Sequence, residues 1–287
     1  MIYNGILRQS GGKHYLEMEN GQRHFEDRHI WKGYVHHWIN QKVCVRELSQ
    51  KDYESNEQIL IIWPDFLMEE IPFVEIYYNE RLTKYPTSRC GHNAINVNGE
   101  FFNFSHLINE NEIMDTAEFM YRPALGEFSP SPYTGKFEIR EDGTAYYDKF
   151  GRNFMRSIEV IRITGINTEK LSKIYHDTLN KIFETPTNPK NPEKYRDFSI
   201  FRNSCTTMIR DGLQTYGLKQ IRGVLPRDFF ISAAWEILKA RESMGLNVKI
   251  FTLPQLKVPE APYSKKTPIF NPKNWIRNRK ISNMKLV

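Results

Sequence analysis

Asn98-Gly99, set between two runs of alternating residues, constrains this chain more than any other pair of residues. A two-residue turn needs φ > 0 at both of its positions, and Asn-Gly tolerates that better than almost any other pair. The turn predicts a hairpin of Gly91–Val97 with Glu100–Ser105. In that register Val97 pairs with Glu100, Ala94 with Asn103 and His92 with Ser105. The side chains of residues 92, 94, 103 and 105 then share one face. Asn103 lies diagonally across from His92, within reach of its ring. Ser105 competes for that place if the register slips.

A second short stretch carries chemistry more than a hundred residues downstream. In Asn203-Ser204-Cys205-Thr206-Thr207-Met208-Ile209-Arg210-Asp211, Asn203 and Ser204 are both good N-caps, so Cys205 falls in the first turn of a helix. The positive end of a helix favours thiolate, and a cysteine of ordinary pKa about 8.5 is expected to be lowered there. The N–H of Cys205 would face an oxyanion on an attacked carbonyl. Taken singly, a first-turn cysteine and a strand histidine are both ordinary packing residues. Taken together, with Asn103 holding the imidazole, they read as a nucleophile, a base and an orienting group.

These residues resemble a known group. SRCGHNAINVNGEFFNFS followed far downstream by FRNSCTTMIRDGL is similar to the circularly permuted papain-like superfamily, in which the strand histidine precedes the helix cysteine. That group includes permuted NlpC-type hydrolases and lecithin:retinol acyltransferase-like proteins. The motifs most resemble those of the bacterial Lnb-type lipoprotein-processing domain, roughly S-x-x-G-H and then N-C-T-T-x-I-R-D. The resemblance covers about residues 70–250 and rests on about fifteen positions. It implies Cys205 as nucleophile, His92 as base and Asn103 as the third polar residue. It departs from the pattern twice. Ser204 separates Asn203 from Cys205, which puts an oxyanion role for Asn203 in doubt. Cys90 stands where an apolar residue is expected, which admits a Cys90–Cys205 disulfide or a metal site.

The rest of the chain reads as context. Residues 1–66 hold five short β-type runs (Tyr3–Leu7, Tyr15–Met18, Arg23–Glu26, Lys42–Glu47, Ile59–Trp63). Turn signals lie at Gly11-Gly12 and Asn20-Gly21, and a helical turn near His29–Asn40. This suits a small OB-like barrel. Residues 67–253 would form the papain-like unit: a strand at Phe73–Tyr78, loops and short strands over 106–150, and a strand at Ser157–Ile163. Helices follow at Thr168–Glu184, Cys205–Tyr216 and Arg227–Arg241, then a strand at Asn247–Leu253. The Thr168–Glu184 helix carries Leu171, Ile174, Tyr175, Leu179, Ile182 and Phe183 at helical spacing. Prolines at 254, 259, 262, 268 and 272 predict an extended tail over 254–287. The expected class is α+β, a β-barrel followed by an antiparallel sheet with packed helices.

Charge argues against a nucleic-acid partner for the folded body. The net charge of the 287 residues is +6, yet residues 257–287 alone contribute eight Lys and Arg against Glu260, so the remainder is close to neutral. Three cysteines without CxxC spacing argue against a disulfide scaffold or zinc ribbon. No metal or other cofactor is expected. His24, His29, His36 and His37 lack a metal-binding spacing and read as surface or packing residues. His106 reads as a loop residue, and Arg227 as part of a helix start that would also suit an anionic substrate group.

No basic stretch with a long apolar run opens the chain, so it is expected to be cytoplasmic as synthesised, with any export needing no cleaved signal. No segment is long enough to span a bilayer. The combined expectation is a cysteine-dependent hydrolase or acyltransferase acting on an amide or ester carbonyl. Its substrates would be peptides or lipids of a bacterial envelope, as for an effector. A protein partner could engage residues 1–66 or the tail. The alternative is an inactive papain-like binding module acting through the barrel and the basic tail.

Overall fold

The computed structural model describes residues 1–28, 32–51, 57–65, 71–83, 89–105, 111–121, 152–190, 192, 194, 198–256 and 262–284. It is an α+β arrangement of two antiparallel sheets and several helices. The first sheet contains β1 (Ile2–Ser10), β2 (Lys13–Glu17), β3 (Arg23–His24), β4 (Lys42–Lys51) and β5 (Gln58–Pro64), in the order β3-β2-β1-β4-β5. Helix α1 (Lys32–Trp38) lies between β3 and β4. These are the five runs and the helical turn read from sequence.

The second sheet contains β6 (Phe73–Asn79), β7 (His92–Val97), β8 (Glu100–Asn103), β9 (Glu112–Met114), β10 (Ile158–Thr164) and β11 (Asn247–Leu253), in the order β11-β10-β6-β7-β8-β9. Because side chains alternate along a strand, the sheet buries two different faces. Val74, Ile76, Tyr78, Ile95, Val97, Phe102, Ile161 and Ile163 pack on α4 (Thr168–Glu184), α5 (Cys205–Tyr216) and α6 (Pro226–Ala240). Tyr77, Ala94, Phe101, Ile158 and Val160 join a core with Leu7, Val43, Val45, Ile61 and Trp63 of the first sheet. Phe119 of α2 (Thr116–Tyr121) and Phe154 of α3 (Arg152–Met155) complete it. The two sheets therefore share one hydrophobic core.

Several elements differ from expectation. Helix α2 falls in a stretch expected to hold only loops and short strands; residues 122–150 of that stretch, and His29 and His106, lie outside the described residues. Phe183, placed with the apolar face of α4, instead points outward and is 53% exposed. The largest difference is at the end of the chain, where residues expected to be extended include α7 (Pro272–Met284). Pro272 starts this helix instead of breaking it, since the first helical position needs no N–H. Asn271 caps it, its Oδ1 accepting the Lys273 N–H at 3.0 Å.

The segment before α7 is tied to the body. The buried carboxylate of Asp228, in the first turn of α6, accepts N–H bonds from Phe270 (3.0 Å), Asn271 (3.1 Å) and the Asn274 amide (2.9 Å). Thr267 donates its N–H to the Tyr78 hydroxyl at 3.0 Å, and Ser264 donates its hydroxyl to Glu80 at 2.9 Å. Hydrogen bonds to a buried charge are worth about 1.5–3 kcal/mol. The segment is held by these partners and not by a ladder of its own.

Candidate active site

The hairpin forms in the predicted register: Val97 opposes Glu100, Asn96 opposes Phe101 and Ile95 opposes Phe102. Asn98 and Gly99 have φ of 52° and 98°, as the turn requires. Glu100 fastens the hairpin to α4 through the Ser172 hydroxyl at 2.6 Å and His176 Nε2 at 3.1 Å. On the resulting face His92 Nε2 lies 2.8 Å from Asn103 Oδ1. With a carbonyl oxygen as partner, Nε2 carries the proton and Nδ1 keeps the lone pair that can accept another. The backbone N–H and C=O of Ser105 are bracketed by the Asn111 amide at 3.0 and 3.2 Å.

Gly91 sets where β7 begins. Its φ is 73°, and a Cβ there would stand 2.6 Å from the Asn79 carbonyl oxygen and 2.9 Å from the Tyr78 ring. Only glycine allows His92 to enter the sheet so close to β6.

Cys205 opens α5, as the capping residues predicted. Ser204 is the N-cap: its Oγ accepts the Thr207 N–H at 3.4 Å, and its own N–H donates to Thr207 Oγ1 at 2.8 Å. Asn203 stays outside the helix in a turn with Ser199, donating its N–H to the Ser199 carbonyl at 2.9 Å. Backbone direction brings the two halves of the site together. Asn98 N–H bonds the Phe73 carbonyl of β6 at 2.9 Å. By alternation the N–H groups of Val97, Ile95 and Asn93 therefore face β8. The β7–β8 pairing ends at Phe102, which leaves the Asn93 N–H turned toward the start of α5, where it favours the Cys205 thiolate. Thr206 locks the contact by donating its hydroxyl to Asn93 Oδ1 at 2.9 Å. The first turn of α5 is thus fastened to the residue next to His92.

The thiol's acidity departs from expectation. Burial pushes the Cys205 thiol up, outweighing the hydrogen bonds from Asn93 N–H and from Thr206 that favour thiolate; nearby Cys90 adds to the rise. The sequence predicted a lowered value from the helix end alone, without the desolvation of a sulfur set against the sheet. The resting group is a thiol. The Cys90–Cys205 disulfide that the sequence admits is not formed, as Cys44, Cys90 and Cys205 are all free thiols. Among the described residues, no three His, Cys, Asp or Glu side chains cluster to hold a metal.

Two neighbours of the site escape a sequence reading. Asn93 faces the helices, and its role follows only from the meeting of β7 with α5. Asn79 stands opposite His92 across the β6–β7 pair. It is fully buried, and among the described residues neither Oδ1 nor Nδ2 of its amide has a hydrogen-bond partner. The only available signal was its polarity at the end of an apolar strand.

Other candidates serve packing. Arg227 bonds the Thr267 carbonyl of the C-terminal segment. His37 packs edge-on against Trp38 and Phe154, and the His24 ring lies tilted against Tyr3. A surface concavity lined by Trp235, Leu238, Lys239, Arg241 and Glu242 contains no residue of the site. No helix among the described residues is long and apolar enough to cross a membrane. No family model, curated protein or solved structure significantly matches the chain.

Proposed function

We propose that the chain is a cysteine-dependent hydrolase or acyltransferase with a permuted papain-like site: Cys205 the nucleophile, His92 the base and Asn103 the residue that orients it. The observation that carries this reading is the 2.9 Å bond that Thr206, next to Cys205, makes to Asn93, next to His92, together with the hold of Asn103 on His92 Nε2 at 2.8 Å. On this reading the first sheet is an OB-like accessory unit. The substrates are amide or ester carbonyls of bacterial-envelope peptides or lipids, as for an envelope-targeting effector.

Because the resting sulfur is a thiol, the proton moves as attack begins. His92 Nδ1 takes it, the sulfur bonds the carbonyl carbon, and the carbonyl π pair moves onto oxygen as an oxyanion facing the first N–H groups of α5. Collapse expels the amine or alcohol, which receives the proton from His92 and leaves a thioester on Cys205. Water or a second amine or alcohol then loses its proton to His92 and attacks the thioester, and Cys205 leaves and is reprotonated. Water gives hydrolysis; another acceptor gives acyl transfer.

Intact-mass spectrometry of the chain after incubation with bacterial envelope extract tests this. The expected result is an acyl adduct mapped to Cys205, lost in Cys205→Ala and accumulating when the acceptor is withheld. An unmodified Cys205 in a chain that still binds envelope components would favour a catalytically inactive binding module.

A further inference from the structure

We propose that the C-terminal segment with α7 is a docking surface for an anionic lipid bilayer. The inference goes beyond the acyl-transfer reading and does not depend on Cys205. Residues 262–287 contain no Asp or Glu, whereas Lys265, Lys266, Lys273, Arg277, Arg279 and Lys280 lie in their described part. Among the described residues only one side of α7 is used by the fold: Asn274 and Ile281 are buried, and Arg277 reaches Glu236 of α6 at 3.0 Å.

The opposite side combines charge with large apolar groups. Trp275 is 65% and Ile276 63% exposed, with Phe270 at 65% just ahead of the helix. Lys273 and Arg279 stand exposed around them, while Lys280 reaches over the Trp235 ring of α6, 5.5 Å from its centroid. At 100° per residue, Trp275 and Ile276 straddle Arg279, and Lys280 and Lys273 follow on the Ile276 side. This is the composition of a helix lying in a headgroup layer, with aromatic and aliphatic groups entering and basic groups on the phosphates.

Two features favour lipid over nucleic acid. The polar atom of Trp275 is already used, its Nε1–H donating to the Ile269 carbonyl at 2.8 Å, so the indole presents hydrocarbon. Ile276 beside it offers nothing to a base or a sugar but gains on leaving water. The surface is also held firm, because Asp228 and Tyr78 bind the residues leading into α7.

The test is co-sedimentation of the full chain with two kinds of vesicle, phosphatidylcholine alone and phosphatidylcholine containing phosphatidylglycerol. Binding is expected to the anionic vesicles only and to fall as salt rises, with Cys205→Ala binding like wild type. The double variant Trp275→Ser, Ile276→Ser should weaken it by at least about tenfold. Lys273→Gln and Arg279→Gln should each cost roughly fivefold. Phe183→Ser, which removes an exposed aromatic from α4, should bind as wild type. Unchanged far-ultraviolet circular dichroism shows that each variant is folded. The proposal is overturned by equal partitioning onto both vesicles, by no partitioning, by wild-type binding of the double variant, or by retention on duplex DNA with none on vesicles.

Discussion

Cys44 in β4 and Cys205 at the start of α5 are both desolvated thiols, yet their surroundings push in opposite directions. Cys44 faces the first core, 7% exposed, with Asp65 Oδ1 3.6 Å from its sulfur. Burial first, then the Asp65 charge and hydrogen bond, push its thiol up to about 11, and Lys42 only partly opposes them. At pH 7 about one molecule in ten thousand then carries a Cys44 thiolate. Burial also raises Cys205, but Asn93 N–H and Thr206 donate to the sulfur and push back. Desolvation is therefore common to both sites and distinguishes neither. What separates them is whether the polar neighbours are anions or donors and, on the proposed reading, whether a base serves the thiol.

The largest expected effect removes that base. A thiol-alkylating probe at neutral pH should label Cys205 far faster than Cys44 in the folded protein. His92→Ala should slow Cys205 by about 10²–10⁴-fold, the usual range for a positioned base, and leave Cys44 unchanged. Asn103→Ala should give a smaller loss, about tenfold or more, because the imidazole stays but is no longer held. Site-resolved mass spectrometry of the alkylated chain measures both rates. If Cys205 is labelled equally fast without His92, the two cysteines differ only in exposure and the catalytic reading fails.

The two regions also differ in what their sequences disclose. The hairpin was legible because Asn98-Gly99 fixes a register within ten residues, and that register puts Asn103 beside His92 without any distant contact. The start of α5 was legible for the same reason, since Ser204 and Thr207 cap it locally. The acidity of Cys205 was not, because its burial against β7 depends on a strand more than a hundred residues away. The C-terminal segment was hidden in the same manner: Pro272 reads as a breaker until Asp228, far back in α6, is seen holding Phe270 and Asn271. Asn79 is invisible for the subtler reason that its lack of partners exists only in the folded sheet.

Asn79 gives the next prediction, because its buried, unbonded amide leaves a stability cost beside His92. A buried amide with neither atom bonded costs about 1–3 kcal/mol, whereas leucine of similar volume carries no such penalty. Asn79→Leu should therefore raise stability by about 1 kcal/mol, read from the denaturant midpoint, and slow labelling of Cys205. A gain in stability with unchanged Cys205 labelling would separate Asn79 from the chemistry. A loss of stability would mean that the amide is bonded in solution.

The smallest effect probes the Cys44 side alone. Asp65→Asn removes the anion while Lys42 remains, so the Cys44 value should move down from about 11 toward the ordinary thiol value. A raised thiol favours folding only while it stays protonated. Its contribution is intact below the unfolded value near 9 and is lost as pH rises through about 11. Asp65→Asn narrows that window and should reduce the alkaline loss of stability by less than about 1 kcal/mol. At pH 7 both states hold the proton, so the variant loses the solvent-screened Lys42–Asp65 pair of 3.1 Å and weakens the Cys44 Sγ–Asp65 hydrogen bond, with little change in stability. Alkylation of Cys44 near pH 9 should quicken a few-fold while Cys205 keeps its rate. Were Cys205 to change as well, the two thiols would be coupled through the shared core, and the difference between their surroundings would no longer account for their reactivity.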